Sequence, residues 1–460
     1  MKQKIVGLVL AVLLVVAGMT LQIEGLSHEG TIALFTMLAG VSLWICGSLP
    51  FAITGLLLML ILILTGAGTA SGVIAGFMSD SMIFLIFCFT FGTILNKTAF
   101  APRIAAGVLK FSKGNSKRIV LAYLMGTCTV SMFMHNMAAI AIFMPIGITV
   151  LEALECEKIK SNLGKCMMFG VAIAAMTGGC GTPMGNPVNA LCLSLLNQTT
   201  GTTVPFAAWC VVGMPLSWLI TYGIYFSLTR IYRPEQLSEE RFAAVMERYS
   251  VLEPIGRRDW LALGTLVVCI GLLVAGSWIP VFSLLNVALL GLVWMVFPGV
   301  NLITWDEIVK SVNWENFIMF GSVSSVVAVM ISSGATEWLA SSLTGLVSGM
   351  PVVAALMMLI LIGEILQWFT PFAPVLAPML VPTYAGLALL MGFSPGVACM
   401  ICAFVLGAAY ILPISLPVVF TMGSGYFQPR HAPLAGILPT AVMVVAGALW
   451  LPVGLGLFGV

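Results

Sequence analysis

Charge is what this chain has least of. Only 8% of its 460 residues are Asp, Glu, Lys or Arg, while 60% are hydrophobic; an ordinary soluble domain is about a quarter charged. A water-soluble protein of this length needs a polar coat, and there are too few charges to build one. The deficit excludes a soluble globular fold and fits a chain whose exterior is solvated by lipid. A basic face is missing too: the formal net charge is +2, and the 19 Lys and Arg fall in short connections, so no nucleic-acid partner is implied. The eleven cysteines are scattered through apolar stretches, as buried free thiols are. Cys399 and Cys402 have C-x-x-C spacing, but they lie in an unbroken apolar run with no second pair and no nearby histidine. They read as packing rather than as a metal or redox site.

What the chain has in abundance is apolar runs. A crossing helix needs about 20 such residues. Candidate runs begin with Ile5–Leu21, Ile32–Leu49, Phe51–Leu64 and Ser81–Leu95, continue with Ile119–Met134, Ala138–Leu154 and Cys166–Met176, and recur from Ala207 to Phe458. Several are too short or too broken by Gly and Pro to cross alone. The expectation is an all-α polytopic membrane protein with about eleven crossings plus re-entrant half-crossings. Lys2 and Lys4 precede the first run, which reads as an uncleaved helix rather than a signal peptide. Basic residues cluster at Lys97–Arg118 and Arg230–Arg258. The positive-inside rule makes these connections, and the N-terminus, cytoplasmic, as in a plasma (inner) membrane protein. The charged stretch Pro234–Gly256 reads as a solvated connector, dividing the chain into 1–233, 234–258 and 259–460.

The two halves resemble each other. Pro183-Met184-Gly185-Asn186-Pro187-Val188 follows Pro145 by 38 residues, and Pro413-Ile414-Ser415-Leu416-Pro417-Val418 follows Pro382 by 31. Paired Gly/Pro-broken apolar segments in corresponding places point to two inverted repeats and to a binding site for a transported solute, because a broken helix exposes backbone dipoles at mid-membrane.

The polar residues within these segments are few. His135 and Asn136 sit between two apolar runs, and ionisable groups at membrane depth are functional candidates by default. From Thr177 to Asn189 the chain carries four glycines and two prolines, so a continuous helix is excluded and bare peptide groups must line a cavity or be buried in protein. Half-helix N-termini suit a carboxylate. Unwound carbonyls with Ser131, Asn136 and Asn189 suit a small hard cation instead. No Gly-Lys-Ser/Thr follows, which argues against a nucleotide loop.

The order of these motifs, with Gly423-Ser424-Gly425-Tyr426 after the second Pro pair, resembles the divalent anion/sodium symporters, the dicarboxylate and citrate carriers of the ion-transporter superfamily. The resemblance is most specific from Gly178 to Ala190, where Gly-Thr-Pro-x-Gly-x-Pro-x-Asn is largely kept. It implies a homodimer with an elevator-like transport domain, and a small anionic substrate with sodium held between hairpin tips and broken helices. Carried over, substrate contacts fall at His135, Asn136, Thr182, Pro183, Asn186, Asn189, Ser415 and Pro417. Sodium ligands fall at Ser131, Asn136, Gly178 and Gly181. Where the family has Ser-Asn-Thr at each tip, this chain has His135-Asn136-Met137 and Phe372-Ala373-Pro374, with Thr370 nearby. One sodium site is therefore expected, and the second repeat departs from the pattern that would supply another.

His135 and Glu364, the latter inside an apolar run, are candidates to carry a proton or to pair with the anion instead. Gln367 and Trp368 read as interface packing. The sequence expectation is thus a sodium-coupled di- or tricarboxylate carrier with no cofactor beyond a possible sodium ion. A sodium-independent exchanger or proton-coupled carrier of the same fold is the alternative. A cation/proton antiporter would want more buried carboxylates than Glu364, and an enzyme would need a nucleophile–base pair or metal set.

Overall fold

The computed structural model describes residues 2–100, 103, 107, 114–236, 254–347, 349–368, 370, 373–413 and 415–459. Among these, every regular element is helical. Five helices lead: α1 (Lys2–Thr20), α2 (His28–Ile45), α3 (Phe51–Leu64), α4 (Ala70–Phe77) and α5 (Asp80–Asn96). A hairpin follows, α6 (Ser116–Ser131) and α7 (Asn136–Ala153), then a helix in two pieces, α8 (Asn162–Gly179) and α9 (Pro187–Thr200), and a long helix, α10 (Phe206–Ile231).

The second half repeats this order. Its leading helices are α11 (Arg257–Ala275), α12 (Leu284–Val296), α13 (Trp305–Ser311), α14 (Trp314–Ser332) and α15 (Ala335–Val347). The second hairpin is α16 (Val352–Gln367) and α17 (Ala377–Met391). Another broken helix, α18 (Pro395–Gly407) with α19 (Leu416–Met422), and a long helix, α20 (Ala432–Gly456), complete it. Residues 237–253 of the expected connector lie outside the described residues.

Eight helices are long and apolar enough to cross a membrane, and five shorter apolar ones of 10–17 residues accompany them. The shorter set includes both arms-in-part of the hairpins and the first piece of the second broken helix, Asn136–Glu152, Val352–Gln367 and Pro395–Gly407. α1 leaves most of its apolar side chains exposed, as do Val267, Val268, Leu290 and Val293 on α11 and α12. In a bilayer such surface faces lipid tails.

The repeats interlock. α10 packs along α20, α9 reaches across to α17 and α18, and α19 packs on α8 and α7. Each break is closed on its flank by a glycine of the long helix in its own repeat. A Cβ at Gly213 of α10 would lie 2.7 Å from the Gly181 carbonyl, and one at Gly436 of α20 would lie 2.1 Å from the Tyr410 carbonyl. The same small-residue device at both breaks is the structural counterpart of the paired proline motifs. Around this centre α3 and α4 pack on α14, and α5 packs on α12.

The described parts of the basic connections touch one another: the Ala99 amide donates to Asp259 at 3.2 Å, and the Ser116 hydroxyl donates to the Glu235 carbonyl. Lys97, which caps α5, donates to Glu307 of α13 at 2.6 Å. Glu235 accepts from the Asn162 and Leu163 amides at 2.6 and 2.7 Å, placing a carboxylate at the N-terminus of α8, where the helix dipole favours it.

Candidate functional site

Both hairpin tips and both helix breaks meet at one cavity of about 680 Å³. Its wall takes His135 and Asn136 from the first tip, Asn186 from the first break, Gln367 and Thr370 from the second tip, and Ser415 from the second break. The paired proline motifs, 230 residues apart in the chain, thus face one space through Pro187 and Pro417.

Local chemistry explains the first-repeat side. The chain cannot stay helical past Gly179, and α9 restarts with Pro187 at its first turn, where the missing N–H costs no hydrogen bond. Asn186 caps α9 by accepting from the Val188 amide at 3.1 Å, which leaves its Nδ2 as a donor. His135 caps α7: its Nδ1 accepts from the Met137 amide at 3.3 Å, so in the neutral ring Nε2 is the donor. Two helix N-termini, each with a side-chain donor at its cap, therefore border the cavity on this side. Each presents partial positive charge. Among the described lining residues there is no Lys or Arg, and the one carboxylate is Glu315, which accepts from the Phe51 amide at 3.0 Å.

Other expected site residues stand behind the wall. The Thr182 hydroxyl donates to the Met132 carbonyl, tying the first break to the first tip. Asn189 donates through Nδ2 to the Gly179 and Thr182 carbonyls at 2.8 and 2.7 Å, across the break. Its Oδ1 is buried with no hydrogen-bond partner. Ser131 donates to the Ala175 carbonyl at 2.6 Å, which keeps both lone pairs of its oxygen available. Gly178 lies against the α6 backbone: a Cβ there would be 2.2 Å from the Cys128 carbonyl oxygen. Thr182, Pro183, Asn189, Ser131, Gly178 and Gly181 are all buried and do not line the cavity. They hold the first tip and first break together.

On the second-repeat side Ser415 and Pro417 line the cavity as expected, and Glu364 does not. Glu364 is 3% exposed with Oε1 unpartnered, one turn before Gln367, and within electrostatic reach of Cys180 and Tyr410 beside the two breaks. Gln367, read from sequence as packing, is a wall residue with its Nε2 unpartnered. Thr93 and Asn96 of α5, and Asn313 and Asn316 at the start of α14, also border the cavity. Sequence reading passed over these four because they lie at ends of apolar runs without any motif.

Residues 41–388 match the CitMHS citrate transporter family. The chain belongs to that family. It is a family of transporters, and this member is a multi-pass membrane transporter rather than an enzyme. It is 28% identical to a transporter of Haemophilus influenzae, covering 88% of this chain and 87% of that one. It is 23% identical to the sodium-dependent dicarboxylate transporter SdcS of Staphylococcus saprophyticus, over 91% of this chain and 86% of the relative. Its fold is shared with the Alcanivorax borkumensis YdaH transporter, at 15% identity and a TM-score of 0.56 over 99% and 98% of the two chains. The dicarboxylate-carrier resemblance read from the broken-helix motifs is borne out for this transporter.

Proposed function

We propose that this transporter is a secondary carrier of small di- or tricarboxylates, coupled to sodium and working by an elevator-like movement of the interlocked repeats. The observation that carries the reading is the cavity itself: two capped helix N-termini, with the His135 and Asn186 donors, border a membrane-depth space that has no fixed cation among its described lining residues. Such ends attract carboxylates without holding them as an arginine fork would. That suits a carrier, which must release what it binds. The name of the SdcS relative supports both the cargo class and the ion.

The first break offers what a sodium ion wants, oxygen ligands on backbone and neutral side chains. The orphaned Oδ1 of Asn189 and the free lone pairs of Ser131 fit that need; Asn136 and the carbonyls of Gly178 and Gly181 are the companion candidates. We further infer a homodimer in the plasma (inner) membrane with the N-terminus cytoplasmic, from the family resemblance and from the basic connections.

A second reading is favoured by Glu364. An unpartnered carboxyl at this depth is costly when ionised, so proton coupling or sodium-independent exchange is the rival. Uptake of labelled succinate, citrate and sulfate into proteoliposomes, with and without sodium, separates them. Carboxylate uptake that requires sodium is expected. Undiminished uptake without sodium would favour the rival, and no uptake of any of the three would refute the carboxylate reading.

A further inference from the structure

α9 begins at the cavity, where Pro187 and Val188 line the wall, and runs away from it to Thr200. α5 runs the other way: Thr93 and Asn96, near its end, line the same cavity, and Asp80 begins it. α9 packs on α5, α14, α17 and α18, and residues 187–196 are all buried, so beyond Pro187 the cavity is shut by packed protein. At that shut end the start of α5 meets α9. The Ser194 hydroxyl, about two turns beyond Pro187, donates to Ser79 Oγ at 2.9 Å, and Gln198 Nε2, one turn further, donates to Ser194 Oγ at 3.3 Å. Ser79 stands at the N-cap of α5, where a serine ordinarily accepts from an amide of its own first turn; here it caps nothing and serves α9 instead. Ser194 is 6% exposed. Gln198 Oε1 is buried with no hydrogen-bond partner. None of the three residues lines the cavity.

We propose that Ser79, Ser194 and Gln198 form a latch that holds the carrier in this state, with the route beyond Pro187 shut, and that the latch parts in every transport cycle. It rests on the elevator-like movement proposed above and names one contact which that movement must break. Cargo leaving toward the Thr200 end needs α9 to shift against α5, because these packed helices close that route. Apolar contacts between two helices are remade one turn along with little loss, since each side chain finds another like it. A hydroxyl pair is not. Displaced by one turn, about 5.4 Å, Ser194 no longer reaches Ser79, and a polar group left alone away from water costs free energy. Such a latch must also be weak, because a carrier held in one state does not turn over. Its groups are neutral, the Gln198 bond is long at 3.3 Å, and Gln198 Oε1 has no partner. One side-chain hydrogen bond between helices in lipid biases two states by about fivefold.

The test uses the full-length protein carrying both Ser79→Cys and Ser194→Cys, in proteoliposomes offered labelled succinate, citrate or sulfate. The 2.9 Å between the two hydroxyl oxygens puts the paired thiols within reach of a disulfide. Copper phenanthroline forms it, dithiothreitol reverses it, and mass spectrometry of the linked peptides verifies it. Oxidation is expected to reduce uptake by the pair to background, with recovery on reduction, while the two single variants keep theirs. A linked carrier that transports at its unlinked rate overturns the latch and spares the carrier reading. Should the pair fail to fold or to link, Ser194→Ala decides. Without the latch the opposite-facing state gains about fivefold in population, so the half-saturation concentration for uptake from the face opposite Asn313 falls by about the same factor, and the maximal rate changes less. Ser194→Thr, which keeps the hydroxyl, should match wild type. An unchanged half-saturation concentration in Ser194→Ala overturns the latch. Wild-type vesicles that take up none of the three anions overturn the carboxylate reading, and the latch falls with it.

Discussion

His135 and Asn136 begin the same helix and face the same cavity, so the replacement of either removes a donor or acceptor from its best-defined corner. His135→Ala and Asn136→Ala are each expected to reduce carboxylate uptake to background with normal expression; full activity in both would remove this corner from the site. Gly178 acts differently. Because its Cα abuts the Cys128 carbonyl, Gly178→Ala must push α6 and α8 apart, at an overpacking cost of about 1–3 kcal/mol. A lowered melting temperature of the detergent-purified protein is expected, and an unchanged one would mean that the two helices yield freely. Asn136 stood out in sequence because it stands beside His135 between two apolar runs, and Asn186 because Gly185 and Pro187 flank it. Gln367 did not: an amide at the end of an apolar helix looks the same whether it faces lipid headgroups, a partner helix or a cavity.

Helices were legible where a run was both long and apolar, as in α1, α10 and α20. The pieces that escaped notice are α4, α9, α13, α15 and α19. All are short or polar, and their stability comes from what they pack against rather than from their own pattern. α9 is the instructive one: its sequence Pro187–Thr200 is too polar for a lipid-facing span, yet residues 187–196 are all buried, against α17 and α18 among others. At the basic connections, α13 is fixed by its cap and by Lys97. The ammonium beside Glu307, with the Thr304 amide, holds that carboxyl down to about 2. A depressed carboxyl stabilises the fold above its unfolded value of about 4.3 and loses that contribution as pH falls toward the folded value. Glu307→Gln should therefore melt slightly below wild type at neutral pH, with the difference unchanged down to mildly acidic pH and fading only in stronger acid. A difference that vanishes near neutrality would contradict the tie.

For the molecule as a whole, the question is which way the cavity opens. Asn313 and Glu315 border it at the start of α14, just beyond α13, whose Glu307 meets Lys97 among the basic connections. In the orientation proposed above, the Asn313 side of the cavity faces the cytoplasm. A thiol introduced as Asn313→Cys should react with a membrane-impermeant maleimide in inside-out vesicles, above the background of the native cysteines, and be protected in right-side-out ones. Labelling only from the opposite face would reverse the orientation.

Composition alone forced a membrane protein, since 8% charge cannot clothe 460 residues in water, and the two broken proline motifs announced a repeat and a place for cargo. Those conclusions depend on local facts: apolar length, helix-breaking residues and their order. Which residues share the cavity could not be read in that way. The wall joins tips and breaks from both halves, and α9 and α19 each cross into the other repeat, so neighbours in space are far apart in the chain. Whether an amide is idle or waiting for a ligand depends on every group folded around it, and sequence order does not record that enclosure.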